Sequence, residues 1–354
     1  MKIVNVAVIG YGLIGRAIYK LMQIGLNFDI KWNVYPYDIK GNDVTIVKTD
    51  KDYEKAVIEN DIVICCTPYT INKKIAHLCI KHGKPYFDLT EDNIESDSIR
   101  AMAEQSKNPC MVMPQCGLAP GAVSIIAKTL MDDFDQVSDV EIRVGALPVS
   151  ANNTMQYYLS WSPEGLVNEY NKSCKMIRDG KLMAAEPLEG YETVIIDGQE
   201  YEAFNTSGGI GTLIESICRD TTDGLPNNVN YKTLRYKGHH AHMKFLFDDL
   251  ALRREPDTLV NLFRKNVPHI DRDVVVIFVN VTGVKDGKLR VSTYDNKIYG
   301  DLYMSAIEKT TAAGVCAAVE WYVACQPQGK CLYNENISWD ELTGNRFWDV
   351  YRKK

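Results

Sequence analysis

The chain has 354 residues, 45% of them hydrophobic and 24% charged, with a formal net charge of −6. That length suits two domains of ordinary size, and the mixture is that of a globular chain rather than a disordered one. The negative balance argues against a nucleic-acid partner, because a phosphate backbone demands a basic face. No apolar run reaches bilayer length, so no membrane partner is expected. The opening MKIVNVAVIG places a lysine before an apolar stretch, as a short secretory leader does. A glycine fingerprint follows at once, which favours a cytoplasmic location instead. The ten cysteines form no C-x-x-C pair and no regular framework, the usage of a reduced protein.

Residues 3–9, IVNVAVI, are short, β-branched and bounded by glycine, as a buried strand should be, and RAIYKLMQIG reads as the helix after it. A second strand is expected at 32–38, provided Pro36 falls where no ladder bond is needed, and a third at 44–50. KDYEKAVIEN is a helix, 61–69 a fourth strand, and INKKIAHLCIKHG a helix closing on Gly83. Strands at 85–90 and 110–117 follow. Apolar strands alternating with helices predict an α/β fold, a doubly wound parallel sheet covered on both faces.

Beyond about residue 122 the rhythm changes. Segments 139–149, 192–198, 200–206, 232–239 and 274–294 alternate, joined by turns such as Asp197-Gly198 and Asp286-Gly287. They predict a mixed or antiparallel sheet, with helices at 162–172 and 256–266. One face should be packed, leaving the other for a partner subunit. A final helix at 304–325, rich in small residues, should pack back onto the first sheet.

VIGYGLIG sets Gly10, Gly12 and Gly15 as G-x-G-x-x-G between a strand and a helix. The first glycine serves a tight turn, the second leaves room for a pyrophosphate, and the third allows close helix–sheet contact. With Tyr11, Leu13 and Ile14, this Rossmann-type turn offers backbone N–H groups and the positive end of a helix to phosphates. Asp38, with Ile39 beside it, ends the second strand, where a carboxylate accepts ribose hydroxyls and repels a 2′-phosphate. Lys40 is a weak substitute for a phosphate fork, so NAD is favoured over NADP. Ligands of such sheets bind beyond the carboxyl ends of the strands. That rule brings Cys66, Thr67 and Pro68, then Asp88 and Thr90, then Leu118 in the GLAPG turn, towards the nicotinamide. Pro120 of that turn reads as the start of the next helix.

YFDLTED, QCGLAPG, RVGALPV, WSPEGLVNEY, YEAFNTSGGIGTL, TLRYKGH and SAIEKTTAAG, in that order, resemble blocks of the saccharopine dehydrogenase superfamily, within it the lysine 6-dehydrogenase type. The resemblance covers nearly the whole chain. It implies a Rossmann domain at 1–122 plus 305–354, split by a substrate and oligomerisation domain at 123–304. It also implies an NAD(P)-linked oxidoreductase acting on a carbon–nitrogen bond of an amino acid, assembled as a homodimer or homotetramer. Lysine ε-amine oxidation and saccharopine oxidation both fit. A carboxynorspermidine-type reductive condensation, or a non-catalytic nucleotide sensor on the same fold, are the alternatives. The chain departs from the family in its YPYDIKG strand end and in its tail.

Such chemistry needs a neutral amine at hydride departure and a held carboxylate. Arg235 is the natural carboxylate clamp, its place in TLRY matching the family block, with Thr90 and Tyr236 as further substrate contacts. His239 is a candidate acid/base, and Asp88 a second. TLRYKGHHAH invites a metal reading. On a strand, however, His240 and His242 share one face and His239 the other, so no metal site is expected. Glu164 and Thr206-Ser207-Gly208-Gly209 are further polar candidates. SGGIG lacks the Lys-Ser/Thr pair of a phosphate loop, and Ser162-Pro163 is equally an ordinary helix start.

Overall fold

The computed structural model describes residues 2–24, 30–220, 224–269 and 272–353. The chain divides into two compact units, one built from Met1–Ala122 with Thr310–Arg352 and one from Val123–Lys309.

The first unit alternates β1 (Lys2–Ile9), α1 (Leu13–Gln23), β2 (Ile30–Asp38), β3 (Thr45–Ile46), α2 (Asp50–Glu59) and β4 (Ile62–Cys65). It continues with α3 (Tyr69–His82), β5 (Tyr86–Asp88), α4 (Asn93–Gln105) and β6 (Val112–Met113), and α5 (Ala122–Met131) leads out of it. The strands lie in the order β3-β2-β1-β4-β5-β6, with all pairs parallel. The order reverses beside β1, which opens a crevice at the carboxyl ends of β1 and β4. Val6, Val8 and all four residues of β4 are buried, as strands covered on both faces require.

Pro36 is tolerated for a local reason. Tyr37 O accepts from Gly10 N and Asp38 O accepts from Val47 N, so by alternation Pro36 faces the β3 side, ahead of the two-residue β3. The third strand is shorter than the 44–50 reading because Thr49 caps α2. Asp52 Oδ2 accepts from Lys48 N and Thr49 N while Thr49 Oγ1 accepts from Asp52 N, a reciprocal box that ends the extended run. Helix α4 had no place in the sequence reading. Its apolar stripe is thin, with Ile99 and Ala103 buried beside Ser96 and Arg100, so its clearest sign is Asp92 accepting from Glu95 N. Pro120 precedes α5 by two residues instead of opening it.

The second unit holds β7 (Gln136–Pro148), α6 (Pro163–Asn171), β8 (Cys174–Arg178), β9 (Lys181–Ala185), β10 (Glu192–Ile196) and β11 (Gln199–Asn205). Then come α7 (Leu213–Asp220), β12 (Asn228–Arg235), α8 (His239–Lys244), α9 (Pro256–Asn266), β13 (Asp273–Lys285) and β14 (Lys288–Tyr299). The sheet runs β10-β11-β12-β7-β13-β14, with the β8-β9 hairpin attached to β12. Only the β12-β7 pair is parallel, so the sheet is mixed.

The 233–242 stretch is not one strand. Strand β12 stops at Arg235, Gly238 takes φ +101, and His239 to Lys244 form the short α8. Buried Glu202 on β11 sets that boundary, accepting from Gly238 N at 2.8 Å and His240 N at 3.0 Å, a carboxylate against helix-start amides. His240 and His242 are tied to the backbone, through Leu188 O at 2.6 Å and Gly238 O at 2.5 Å respectively.

The last helix, α10 (Ala306–Cys325), returns the chain to the first unit. Tyr322 meets Phe87 of β5 edge-on at 5.8 Å, and the segment after it pairs Cys331 with Val112 of β6. Gly314 permits this closeness, since a Cβ there would stand 2.2 Å from Gly117 O. Gly314→Ala should therefore lower the melting temperature, by the equivalent of about 1–3 kcal/mol for a forced backbone contact. An unchanged melt would show that α10 can shift without cost.

Candidate functional site

In the first unit β1 ends at Ile9 and Gly10, with φ +97, turns the chain; a Cβ there would lie 2.6 Å from Cys66 C. A Cβ on Gly15 would stand 2.0 Å from Gly10 O, so α1 leaves the strand only over a bare glycine. Gly12 differs from both, for a Cβ on it would meet no protein atom within 4 Å. The fold's own packing therefore gives no reason for glycine there, whereas close approach of a pyrophosphate does. Gly12 also begins α1 with no side-chain cap, leaving the helix-start amides for an anion.

Asp38 is more than a turn residue. Its Oδ2 accepts from Tyr11 N at 2.6 Å and its Oδ1 from Ile39 N at 2.7 Å, tying the end of β2 to the glycine turn. Leu13 and Ile39 flank it with exposed apolar side chains. Cys66 N donates to Ile9 O at 2.7 Å, Thr67 Oγ1 lies 2.9 Å from the Asn72 amide, and Pro68 is exposed ahead of α3. These residues and the glycine turn lie at the carboxyl ends of β1, β2 and β4, and the uncapped helix start and anchored carboxylate there fit a dinucleotide.

Three sequence candidates of this unit take other roles. Asp88 is wholly buried, its carboxyl accepting from Tyr86 OH at 2.8 Å, Gln115 N at 2.9 Å and Thr90 N at 3.1 Å. Burial raises that carboxyl above the usual range, with the amide donors pulling against it. It joins the ends of β5 and β6. Thr90 Oγ1 accepts from Asp92 N at 3.3 Å, a local turn. Leu118 is a core side chain, 4% exposed.

The second unit holds a cluster of buried polar side chains around Arg235. The guanidinium is 2% exposed. Its Nε donates to Tyr170 Oη at 2.8 Å, and Nη1 donates to Thr233 Oγ1 at 2.8 Å and Leu234 O at 2.9 Å. The rings of Tyr157 and Tyr170 lie 5.2 and 5.8 Å from its central carbon, cation–π distances. With Nε and Nη1 committed, no two-pronged fork remains for a carboxylate, which corrects the bidentate clamp.

His239 completes a relay. Met155 O can only accept, so His239 Nδ1 donates to it at 3.0 Å, and Nε2 accepts from Tyr170 Oη–H at 3.0 Å. Burial, then the Arg235 charge, lowers the imidazole to about 3, so it stays neutral throughout the physiological range. It orients Tyr170 and is no proton exchanger near neutral pH. Tyr236 points elsewhere, donating to Pro148 O at 2.8 Å and stacking on Tyr201. Glu164 is an exposed partner of Arg264 at the start of α6. Among the described residues no group of three or more His, Cys, Asp or Glu is placed to hold a metal.

Sequence reasoning missed Glu169. It is 8% exposed, and its Oε2, without a hydrogen-bond partner, lies 3.6 Å from Arg235 Nη2, beyond hydrogen-bond range. Burial raises its carboxyl well above the ordinary range, Arg235 opposing the rise. Thr206 Oγ1 is likewise buried without a hydrogen-bond partner, and Tyr157 and Ser160 interact with each other. A signal did exist in the sequence, because Glu169 falls on the stripe of α6 that buries Leu166, Val167 and Tyr170.

The fold and these two clusters define a class: a dinucleotide-type α/β chain with a mixed-sheet unit carrying a buried polar centre. Residues 117–340 match the saccharopine dehydrogenase C-terminal domain, and the chain belongs to the saccharopine dehydrogenase superfamily. It is 27% identical over 153 residues to the NADP(+), L-glutamate-forming saccharopine dehydrogenase of Schizosaccharomyces pombe, covering 42% of this chain and 34% of that one. It is 27% identical over 215 residues to the enzyme of the same name from Saccharomyces cerevisiae, covering 57% of this chain and 46% of that one. The matched stretches thus span less than half of these relatives. The apo structure of saccharopine dehydrogenase (L-Glu forming) from Saccharomyces cerevisiae has the same fold, with TM-score 0.77, 19% identity and 98% of each chain covered.

Two outcomes follow. Gly12→Ala should melt like the wild type yet bind dinucleotide at least roughly ten-fold more weakly, because its Cβ occupies the phosphate approach; equal affinity in a titration would remove Gly12 from the site. For Glu169 the folded pKa lies above the unfolded one, so its contribution to stability is present at acid pH and lost as pH rises through the folded value. Melts between about pH 5 and about pH 9 should show the wild type losing stability relative to Glu169→Gln, and parallel curves would contradict the raised carboxyl.

Proposed function

We propose that the chain is a nicotinamide-dependent dehydrogenase acting on a carbon–nitrogen bond of an amino acid, lysine or a lysine-derived amine. The observation that carries the reading is the turn at Gly12, a glycine that intramolecular packing does not explain, beside a carboxylate anchored for a ribose. Membership of the saccharopine dehydrogenase superfamily supports the substrate class. The nicotinamide, when bound, accepts the hydride; the chain must bind, orient and exclude water. Gly10, Tyr11 and Gly12 would hold the pyrophosphate at the start of α1, which Gly15 lets pack close to the turn, and Asp38 would accept the ribose hydroxyls. In the second unit the Arg235–Tyr170–His239 relay fixes the direction of each hydrogen bond around the buried centre, the preorganisation that substrate positioning needs.

Asp38 supports NAD, since an anchored carboxylate repels a 2′-phosphate. The two yeast relatives are named for NADP(+), so both cofactors belong in the test. Lysine, saccharopine, related diamines and semialdehydes are assayed with each cofactor by nicotinamide absorbance. Turnover of at least one amine is expected, with kcat/KM higher for NAD, and Asp38→Ser should cut that preference roughly ten-fold. Dinucleotide binding without turnover of any pair would sink the enzyme reading.

A further inference from the structure

Two walls meet at the crevice of the first unit, the glycine turn after β1 and the Cys66–Pro68 loop after β4. They are in contact, for Cys66 N donates to Ile9 O at 2.7 Å and a Cβ on Gly10 would stand 2.9 Å from Thr67 N. A dinucleotide in such a crevice needs both walls held at one spacing. Asp38 anchors the glycine turn. The loop enters α3 at Pro68 with no side-chain cap, so its anchor lies elsewhere.

That anchor is Asn72 on α3, 1% exposed, with Thr67 Oγ1 2.9 Å and Cys65 Sγ 3.4 Å from its amide group. An amide has one accepting and one donating end, and the neighbours decide which end points where. With its nitrogen towards the loop, Asn72 donates to Thr67 Oγ1 at 2.9 Å, Thr67 O at 3.1 Å and Pro68 O at 3.3 Å. With its oxygen there, it confronts those two carbonyls instead. Acceptors that face one another in a buried site are costly.

The other end of the amide meets Asp88 Oδ2 at 3.5 Å. An ionised carboxylate attracts the amide nitrogen and draws it off the loop. A protonated carboxyl turns its O–H to the amide oxygen and leaves the nitrogen on the loop. The other contacts of Asp88 suit both forms, since Oδ1 accepts from Gln115 N and Thr90 N and Oδ2 accepts from Tyr86 OH in either state.

We propose that Asn72 is a positioning residue for the dinucleotide, holding the Thr67 and Pro68 carbonyls while Asp88 behind it carries a proton. The proposal deepens the dinucleotide reading of this crevice and rests on it. The groups that face Asp88 are Tyr86 on β5, Cys65 and Cys66 at the end of β4, Cys116 after β6 and Arg100 on α4. Burial raises the phenol and the three thiols, so they stay neutral, and the Arg100 guanidinium donates to Asp97 at 2.7 Å. Burial also raises Asp88, against the pull of Gln115 N, Thr90 N, Tyr86 and Arg100. The clamp is therefore present at acid pH and released as pH rises through the raised value.

The test titrates the full chain with NAD and with NADP by calorimetry between about pH 5 and about pH 9. Asp88→Asn presents an N–H to Asn72 at every pH, so wild type should lose affinity relative to it by roughly five-fold or more as pH rises. Ionisations elsewhere, in protein or ligand, are common to both chains and cancel in that ratio. Binding to wild type should take up a fraction of a proton within the window, seen by comparing buffers of different ionisation enthalpy, and Asp88→Asn should lack that uptake. Asn72→Leu keeps the volume without the donors and should bind about ten-fold more weakly than Asp88→Asn, with the ratio between these two constant over pH. A constant ratio of wild type to Asp88→Asn, no proton uptake by wild type, or Asn72→Leu affinity equal to wild type at acid pH overturns the clamp. The proton measurement on wild type needs no variant to fold. Dinucleotide binding with a constant ratio removes the clamp and leaves the dehydrogenase standing, whereas a changing ratio without amine turnover does the reverse. Failure of wild type to bind either dinucleotide overturns both.

Discussion

A guanidinium that cannot lose its proton is buried in the second unit, and much of that unit's chemistry follows from accommodating it. Arg235 draws Tyr170 Oη into accepting from Nε, which leaves the phenol proton to donate onward to His239. His239 must then accept at Nε2 and donate at Nδ1, and burial, joined by the nearby permanent cation, keeps it neutral. One charge on one strand end therefore sets a tautomer and the direction of two hydrogen bonds, and adds to the burial that keeps an imidazole on a different helix neutral. Charge in a weakly polar interior acts with little screening, which gives it this reach.

The first unit depends on distance instead of charge. Helix α1 can leave β1 where it does because Gly15 has no Cβ to meet Gly10 O, and the turn can pass Cys66 because Gly10 has none either. The same closeness brings Tyr11 N to Asp38, so the carboxylate is held by backbone before any ligand is considered. Gly12 is the exception that carries information, for it is a glycine without a crowding neighbour. Glycines demanded by packing and a glycine demanded by a guest look identical in sequence.

Much of the fold was legible because its signals are local. The buried strands β1 and β4 are uninterrupted apolar runs, and the Asp197-Gly198 and Asp286-Gly287 turns announce two hairpins. Helix α8 was not legible, since the carboxylate that meets its first amides comes from β11, far from Gly238 in the chain. The site was less legible still. The sequence offered Arg235 and His239 as separate candidates, and the structure links them through Tyr170. Asp88, Thr90, Tyr236 and Leu118 have the residue types of site groups, and each is engaged by its own surroundings. Glu169 carried the opposite lesson, a charge on the apolar stripe of a helix that deserved more weight than the histidine run.

By itself the sequence determined the alternation of strands and helices, the glycine turn, the acidic end of β2 and the change of rhythm that separates two sheets. These depend on side-chain periodicity and backbone freedom, properties each short segment carries with it. Only the tertiary structure decided which polar groups are buried together, which are already satisfied and which are left over. Hydrogen-bond satisfaction and desolvation are properties of neighbours distant in the chain, as when residue 235 meets residues 157 and 169. For that reason the glycine turn and the acidic end of β2 were visible in the order of the residues, and Glu169 beside Arg235 was visible only in the fold.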